Sequence, residues 1–145
     1  MSDLKSFQNH INYHFHNCSF LKEAFLSAGA SVSDTKVEGP EKGNKRLALV
    51  GDAALRLAVM DDWFKDDSDT AAGQKRFLSI GTNERLKDIA TNWEIDKLVV
   101  KNPCQQGNCP KETLAATIEA VLGAVWVDSD RNLAVVQEVL SKLSA

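Results

Sequence analysis

"NKRLALVGDAAL", residues 44–55, is the stretch on which the fold turns. Leu47, Val50, Ala54, Leu57 and Ala58 recur at helical spacing. They predict one long helix from about residue 45 to 64 with a single apolar stripe. Asp52 breaks the pattern, because it stands among apolar side chains directly after Gly51. A carboxylate in such surroundings is costly unless it is hydrogen-bonded, paired or bound to a cation.

A second acid has the same problem. Glu119 lies within "LAATIEAVLGAVWV", the most apolar run in the chain. One isolated acid of this kind is ordinarily satisfied by backbone N–H groups or by an arginine, here Arg46 or Arg56. Two of them on two helices, each beside a glycine or alanine that allows close packing, point to a site shared between the helices. Facing each other, they would offer oxygen ligands to a divalent ion.

The rest of the chain reads as helices. Leu4, Phe7 and Ile11 share a face of a first helix over residues 3–13, and Asn17 or Ser19 caps a second that holds Phe20, Leu21, Ala24 and Phe25. Residues 28–43 are rich in Gly, Ser and charge and form the longest loop. Further helices are expected over 74–80, from a cap at Thr82 or Asn83, over 111–127 after Pro110, and over 133–143. "WEIDKLVV" is a turn into a short extended or helical piece, and residues 101–111 are irregular. The fold class is therefore all-α, with 1–145 as a single domain.

With 43% hydrophobic and 26% charged residues, the 145-residue chain has the balance of a packed globular domain rather than a disordered one. A net charge of −3 gives no general attraction to nucleic acid or anionic membrane, so phosphate binding would need a local basic patch or metal ions. No stretch resembles a signal peptide or reaches the ~18 apolar residues of a membrane span, which points to an intracellular protein without membrane contact. Cys18, Cys104 and Cys109 are an odd number and read as reduced thiols. Cys104 and Cys109, with His10, His14 and His16, match no common zinc spacing. Trp63, Trp93 and Trp126 read as core or interface residues.

The opening stretch resembles the signature helix of the ribonuclease III domain family, Asn-Glu-Arg-Leu-Glu-Phe-Leu-Gly-Asp-(Ser/Ala)-Val-Leu. Asn44, Arg46, Leu47, Gly51, Asp52 and Leu55 match it. "LAATIEAVLGAVWVD" is similar to a later family helix, with matches at Leu114, Ala115, Glu119, Ala120, Gly123, Ala124 and Asp128. "INYHFHNCSFLKEAF" and "TNERLKDIATNWEIDKLV" add weaker matches in the right order, so the resemblance runs from about residue 11 to 128.

The resemblance implies a ribonuclease III-type helical endonuclease domain that forms a homodimer. Carboxylates in each protomer would hold Mg²⁺ or Mn²⁺ and hydrolyse phosphodiesters of double-stranded RNA. Asp52 and Glu119 take the places of two family metal ligands. The other two ligand positions are Ala48 and Ala116, one turn earlier on each helix, and two further family positions hold Lys45 and the pair Leu26 and Ser27. Water in place of a carboxylate restores no charge, so an ion here would be weakly held without substrate phosphate. Glu112, one turn before Ala116, could turn towards the cluster or stay solvated at its helix start.

Lys42, Lys45, Lys75 and Arg76 are the expected RNA phosphate contacts. The sequence thus supports an endoribonuclease. It also leaves open a catalytically silent dimeric RNA-binding or scaffold protein, or a fold whose emptied valley takes another ligand.

Overall fold

The computed structural model describes residues 3–104, 107 and 109–145. Its elements, in chain order, are α1 (Leu4–Ile11), α2 (Cys18–Ala24), α3 (Ala30–Ser33), α4 (Lys45–Lys65), α5 (Thr70–Gly81), α6 (Asn83–Asn92), a 3-10 turn (Ile95–Lys97), α7 (Lys111–Asp128) and α8 (Leu133–Ser144). Among the described residues there is no strand, only one parallel bridge between Leu26 and Val100. Gln105, Gln106 and Asn108, within the segment expected to be irregular, lie outside the described residues.

Most helix starts follow from a side chain that accepts a first-turn N–H. Asp3, Asn17, Asp69, Thr82 and Asn132 cap α1, α2, α5, α6 and α8 in this way. The Asp69 cap starts α5 at Thr70, four residues earlier than its apolar pattern suggests. The loop expected over 28–43 also contains the one-turn helix α3.

α7 is the axis of the domain. Ten of its residues are buried, from Leu114 to Val125, because α2, α4, α6 and α8 surround it. Phe7, Phe25, Leu55, Leu86, Ile89 and Leu143 close the same core from the other helices. The far end of α7 is tied down by Asp128, which accepts from Tyr13 Oη at 2.6 Å and from the backbone N–H groups of His16 and Asn17. Burial of the phenol, and then this bond, raise the Tyr13 pKa.

α4 crosses α7 at two glycines. A Cβ on Gly51 would collide with the carbonyl oxygen of Glu119, and one on Gly123 would collide with the carbonyl oxygen of Leu47. The two backbones touch because neither crossing residue has a side chain.

The expected apolar stripe of α4 needs correction. Leu47, Ala54 and Ala58 are buried, but Val50 is 38% and Leu57 51% exposed. A helix crossing its neighbour so closely meets it over a narrow strip, and among the described residues nothing fully covers Val50 and Leu57 beside it. Val50, Ala53 and Leu57 join Trp126 around an apolar depression of about 240 Å³, and Leu49 and Phe64 extend the exposed apolar face.

In an open helix, Gly→Ala stabilises by about 1 kcal/mol. Gly51→Ala and Gly123→Ala are expected to do the opposite, each destabilising towards the upper end of the ~1–3 kcal/mol typical of overpacking. Urea unfolding of the two variants measures both the sign and the size.

Candidate functional site

The crossing decides which side chains meet. Asp52 follows Gly51 on α4, and Glu119 is the residue whose carbonyl oxygen faces Gly51 from α7. The close approach brings the two carboxyls within hydrogen-bonding reach of each other. Asp52 is exposed and Glu119 half-buried. Burial, then the hydrogen bond that the protonated Glu119 carboxyl donates to Asp52, and then the Asp52 charge, push the Glu119 carboxyl up from 4.5 to about 7. Two carboxylates this close cannot both ionise cheaply, so the pair retains a proton near neutrality.

The arginines expected to brace these acids are engaged elsewhere. Arg46 makes two 2.7 Å hydrogen bonds to Glu23, which is 8% exposed, and so clamps α4 to α2. Arg56 lies over the Phe77 ring, 4.1 Å from its centre. Asn44 of the opening motif is also structural. Its side-chain amide donates to the Ala24 carbonyl at 2.8 Å and reaches Thr117 Oγ1 at 3.4 Å.

One turn before the acid pair, Ala48 and Ala116 line the same open pocket of about 200 Å³. Ser27, Ala28, Lys42, Asn44, Lys45, Glu112 and Thr113 complete it. The structure therefore brings together Lys42, Lys45, Glu112 and the two alanines beside Asp52 and Glu119. Lys75 and Arg76 sit apart on α5, where Arg76 pairs with Asp66 at 2.6 Å near the far end of α4. The sequence places Ser27 only at a family position that it does not match, and a serine after a helix gives no signal of its burial.

The chemistry of the donor set decides what metal it fits. Among the described residues no three His, Cys, Asp or Glu side chains come together as a ligand group. Ala48 and Ala116 supply no oxygen. Two carboxyls at Asp52 and Glu119 suit at most one hard ion of the Mg²⁺ kind that keeps most of its waters, and do not make a preformed cage.

Because the Glu119 pKa is raised on folding, its stabilising contribution is fully present below about 4.5 and is lost as pH rises through about 7. Stability measured by urea unfolding is expected to fall across that window, and Glu119→Gln to remove this part of the fall. An unchanged profile in the variant would show that the carboxyl is not held in this environment.

No family model matches the chain. A curated relative, Ribonuclease 3 of Fusobacterium nucleatum, is 30% identical over 135 residues, which cover 90% of this chain and 57% of the relative. Ribonuclease 3 of Francisella tularensis is 28% identical over 139 residues, 94% of this chain and 56% of the relative. The chain thus spans a little over half the length of these relatives. The nuclease domain of ribonuclease III from Campylobacter jejuni superposes with a TM-score of 0.80 at 18% identity, covering 97% of this chain and 95% of that one. A second structure of the same domain gives 0.79 at 19% identity, covering 99% and 95%. The chain is thus similar over nine-tenths of its length to curated ribonuclease 3 proteins, and it shares the fold of a ribonuclease III nuclease domain.

Proposed function

We propose that this chain acts on double-stranded RNA as a homodimeric ribonuclease III-type endoribonuclease, with Asp52 and Glu119 as the working acids of each site. The observation that carries this reading is the carboxyl pair itself. Two acids on different helices are held together at a cost to folding, beside a pocket wide enough to admit a ligand group.

Asp52 presents an exposed carboxylate, and Glu119 a carboxyl that gains or loses its proton near neutrality. A group titrating there is suited to accept a proton from water attacking a phosphodiester. Mg²⁺ or Mn²⁺, when bound by Asp52 and Glu119 together with substrate phosphate, would polarise the phosphodiester and acidify water. Lys42 and Lys45 at one end of α4, and Lys75 and Arg76 towards the other, would meet the RNA backbone. A helix of 21 residues is about 30 Å long, so contacts this far apart suit a rod-shaped polyanion.

The dimer premise is supported by the uncovered apolar face of α4 and Trp126, which is a surface suited to a second copy. One Campylobacter structure is described in terms of a region involved in dimer formation of that domain. Among the described residues no helix is long and apolar enough to cross a membrane.

A second reading is favoured by the donor set. With alanine at positions 48 and 116 the fold could bind RNA as a dimeric scaffold without cutting it, and the pocket around those alanines could take another ligand.

Long double-stranded RNA incubated with the protein and Mg²⁺ or Mn²⁺ is expected to yield fragments. Asp52→Asn and Glu119→Gln are each expected to lower the rate at least about a hundredfold. Retention of intact RNA in a gel shift, with no fragments at high protein concentration, would establish the scaffold reading instead. Leu57→Glu is expected to reduce the mass seen by light scattering from two chains to one, and an unchanged mass would remove the α4 face as the interface.

A further inference from the structure

The pocket at the start of α4 and α7 has features that the acid pair does not use. Both helices begin beside it, with Asn44, Lys45 and Ala48 lining it from α4 and Glu112, Thr113 and Ala116 from α7. These two starts lack the side-chain cap found on the other long helices. The Asn44 side chain bonds to Ala24 and Thr117, and Pro110 has no group to offer. First-turn N–H groups at the positive ends of two helices, 21 and 18 residues long, therefore remain without a capping side chain.

The first turn of α4 contains no acid and opens on Lys45 and Arg46, at the end of the helix where the dipole disfavours cations. Arg46 is neutralised by Glu23, whereas Lys45 and Lys42 form no ion pair among the described residues. Ser27, 6% exposed, lines the same pocket, and its buried hydroxyl has no hydrogen-bond partner among them. A buried hydroxyl without a partner costs free energy that a bound acceptor would recover. Glu112, exposed on the first turn of α7, is the opposing carboxylate of the lining. The two lysines outnumber it.

We infer that this pocket is an oxyanion subsite that takes a phosphate group, held by Lys42, Lys45, the Ser27 hydroxyl and the uncapped N–H groups of the two helix starts. A tetrahedral phosphate accepts from several directions at once, which suits donors converging from a loop and two helices. The pocket volume of about 200 Å³ exceeds the ~30 Å³ share of a water molecule several-fold, so a phosphate with attached chain can enter. The phosphate comes either from an RNA backbone or from a free or terminal phosphate. Only the first source rests on the function proposed above.

The test is a titration of the full chain with inorganic phosphate at constant ionic strength, followed by amide NMR. Saturable shifts are expected at Ser27, Lys42, Lys45, Glu112 and Thr113. Replacing both lysines, Lys42→Ala with Lys45→Ala, is expected to weaken phosphate binding about tenfold or more. Ser27→Ala is expected to weaken it several-fold while raising the melting temperature in phosphate-free buffer, since it removes an unpartnered hydroxyl.

An RNA duplex without terminal phosphates that moves the same amides and competes with phosphate would identify the source as backbone phosphodiester. Binding of inorganic phosphate alone, without such competition, would identify a free or terminal phosphate. Shifts that do not saturate, scatter over other lysines or survive the lysine replacements would overturn the subsite. The readout needs neither cleavage nor dimerisation, so its failure is separable from failure of the nuclease reading.

Discussion

Everything of functional interest depends on the contact of two helix backbones at Gly51 and Gly123. Without a Cβ at either place, α4 lies on α7 closely enough for the Gly51 backbone to meet the Glu119 carbonyl. A side chain at the crossing would separate the helices, and residues on facing turns would then no longer share one volume. The acid pair, the pocket lined by Ala48 and Ala116, and the convergence of two helix starts are all consequences of this contact. The glycines cost helix propensity, and burial of α7 on nearly all sides offsets that cost.

The same closeness explains why α4 has two apolar faces. Leu47, Leu55 and Ala58 enter the core, while Val50, Leu57 and Phe64 do not, although the helical period alone does not distinguish them. A helix buried on one narrow strip leaves apolar residues beside it, and such a face is stable in water only if small or covered. The fold thus explains where the core ends and which apolar residues stay outside it.

The helices were legible because apolar period and capping residues agree. Asn17 and Thr82, each one of two expected caps, do cap their helices, and Asp3 and Asn132 do the same at α1 and α8. The start of α5 was misread because "TAAG" carries little apolar signal, and the cap at Asp69 sets the boundary instead. Val50 and Leu57 were misplaced because periodicity reports amphipathic spacing and not which neighbour is present. At the site, Asp52 and Glu119 could be found because an acid in an apolar run is a local anomaly. Ser27 could not be found, since its burial depends on chain folded far from it. The Arg46 pairing with Glu23 is not legible, because the two lie 23 residues apart, where spacing carries no information.

The electrostatics at the crossing are set as much by the alanines as by the acids. Two carboxyls in contact can share a proton, so this arrangement folds near neutrality without a cation to neutralise it. Carboxylates at positions 48 and 116 would have added charges that one proton could not offset, and folding would then have leaned on bound metal. Alanine there removes that dependence and also removes negative charge from the pocket into which Lys42 and Lys45 face as lining residues. Two neighbouring regions of opposite preference result, one attractive to a proton or a cation and the other to an anion. Alanine at positions 48 and 116 therefore leaves the site short of the oxygen ligands of a metal cage, and leaves the neighbouring pocket free of the negative charge that two more carboxylates would bring.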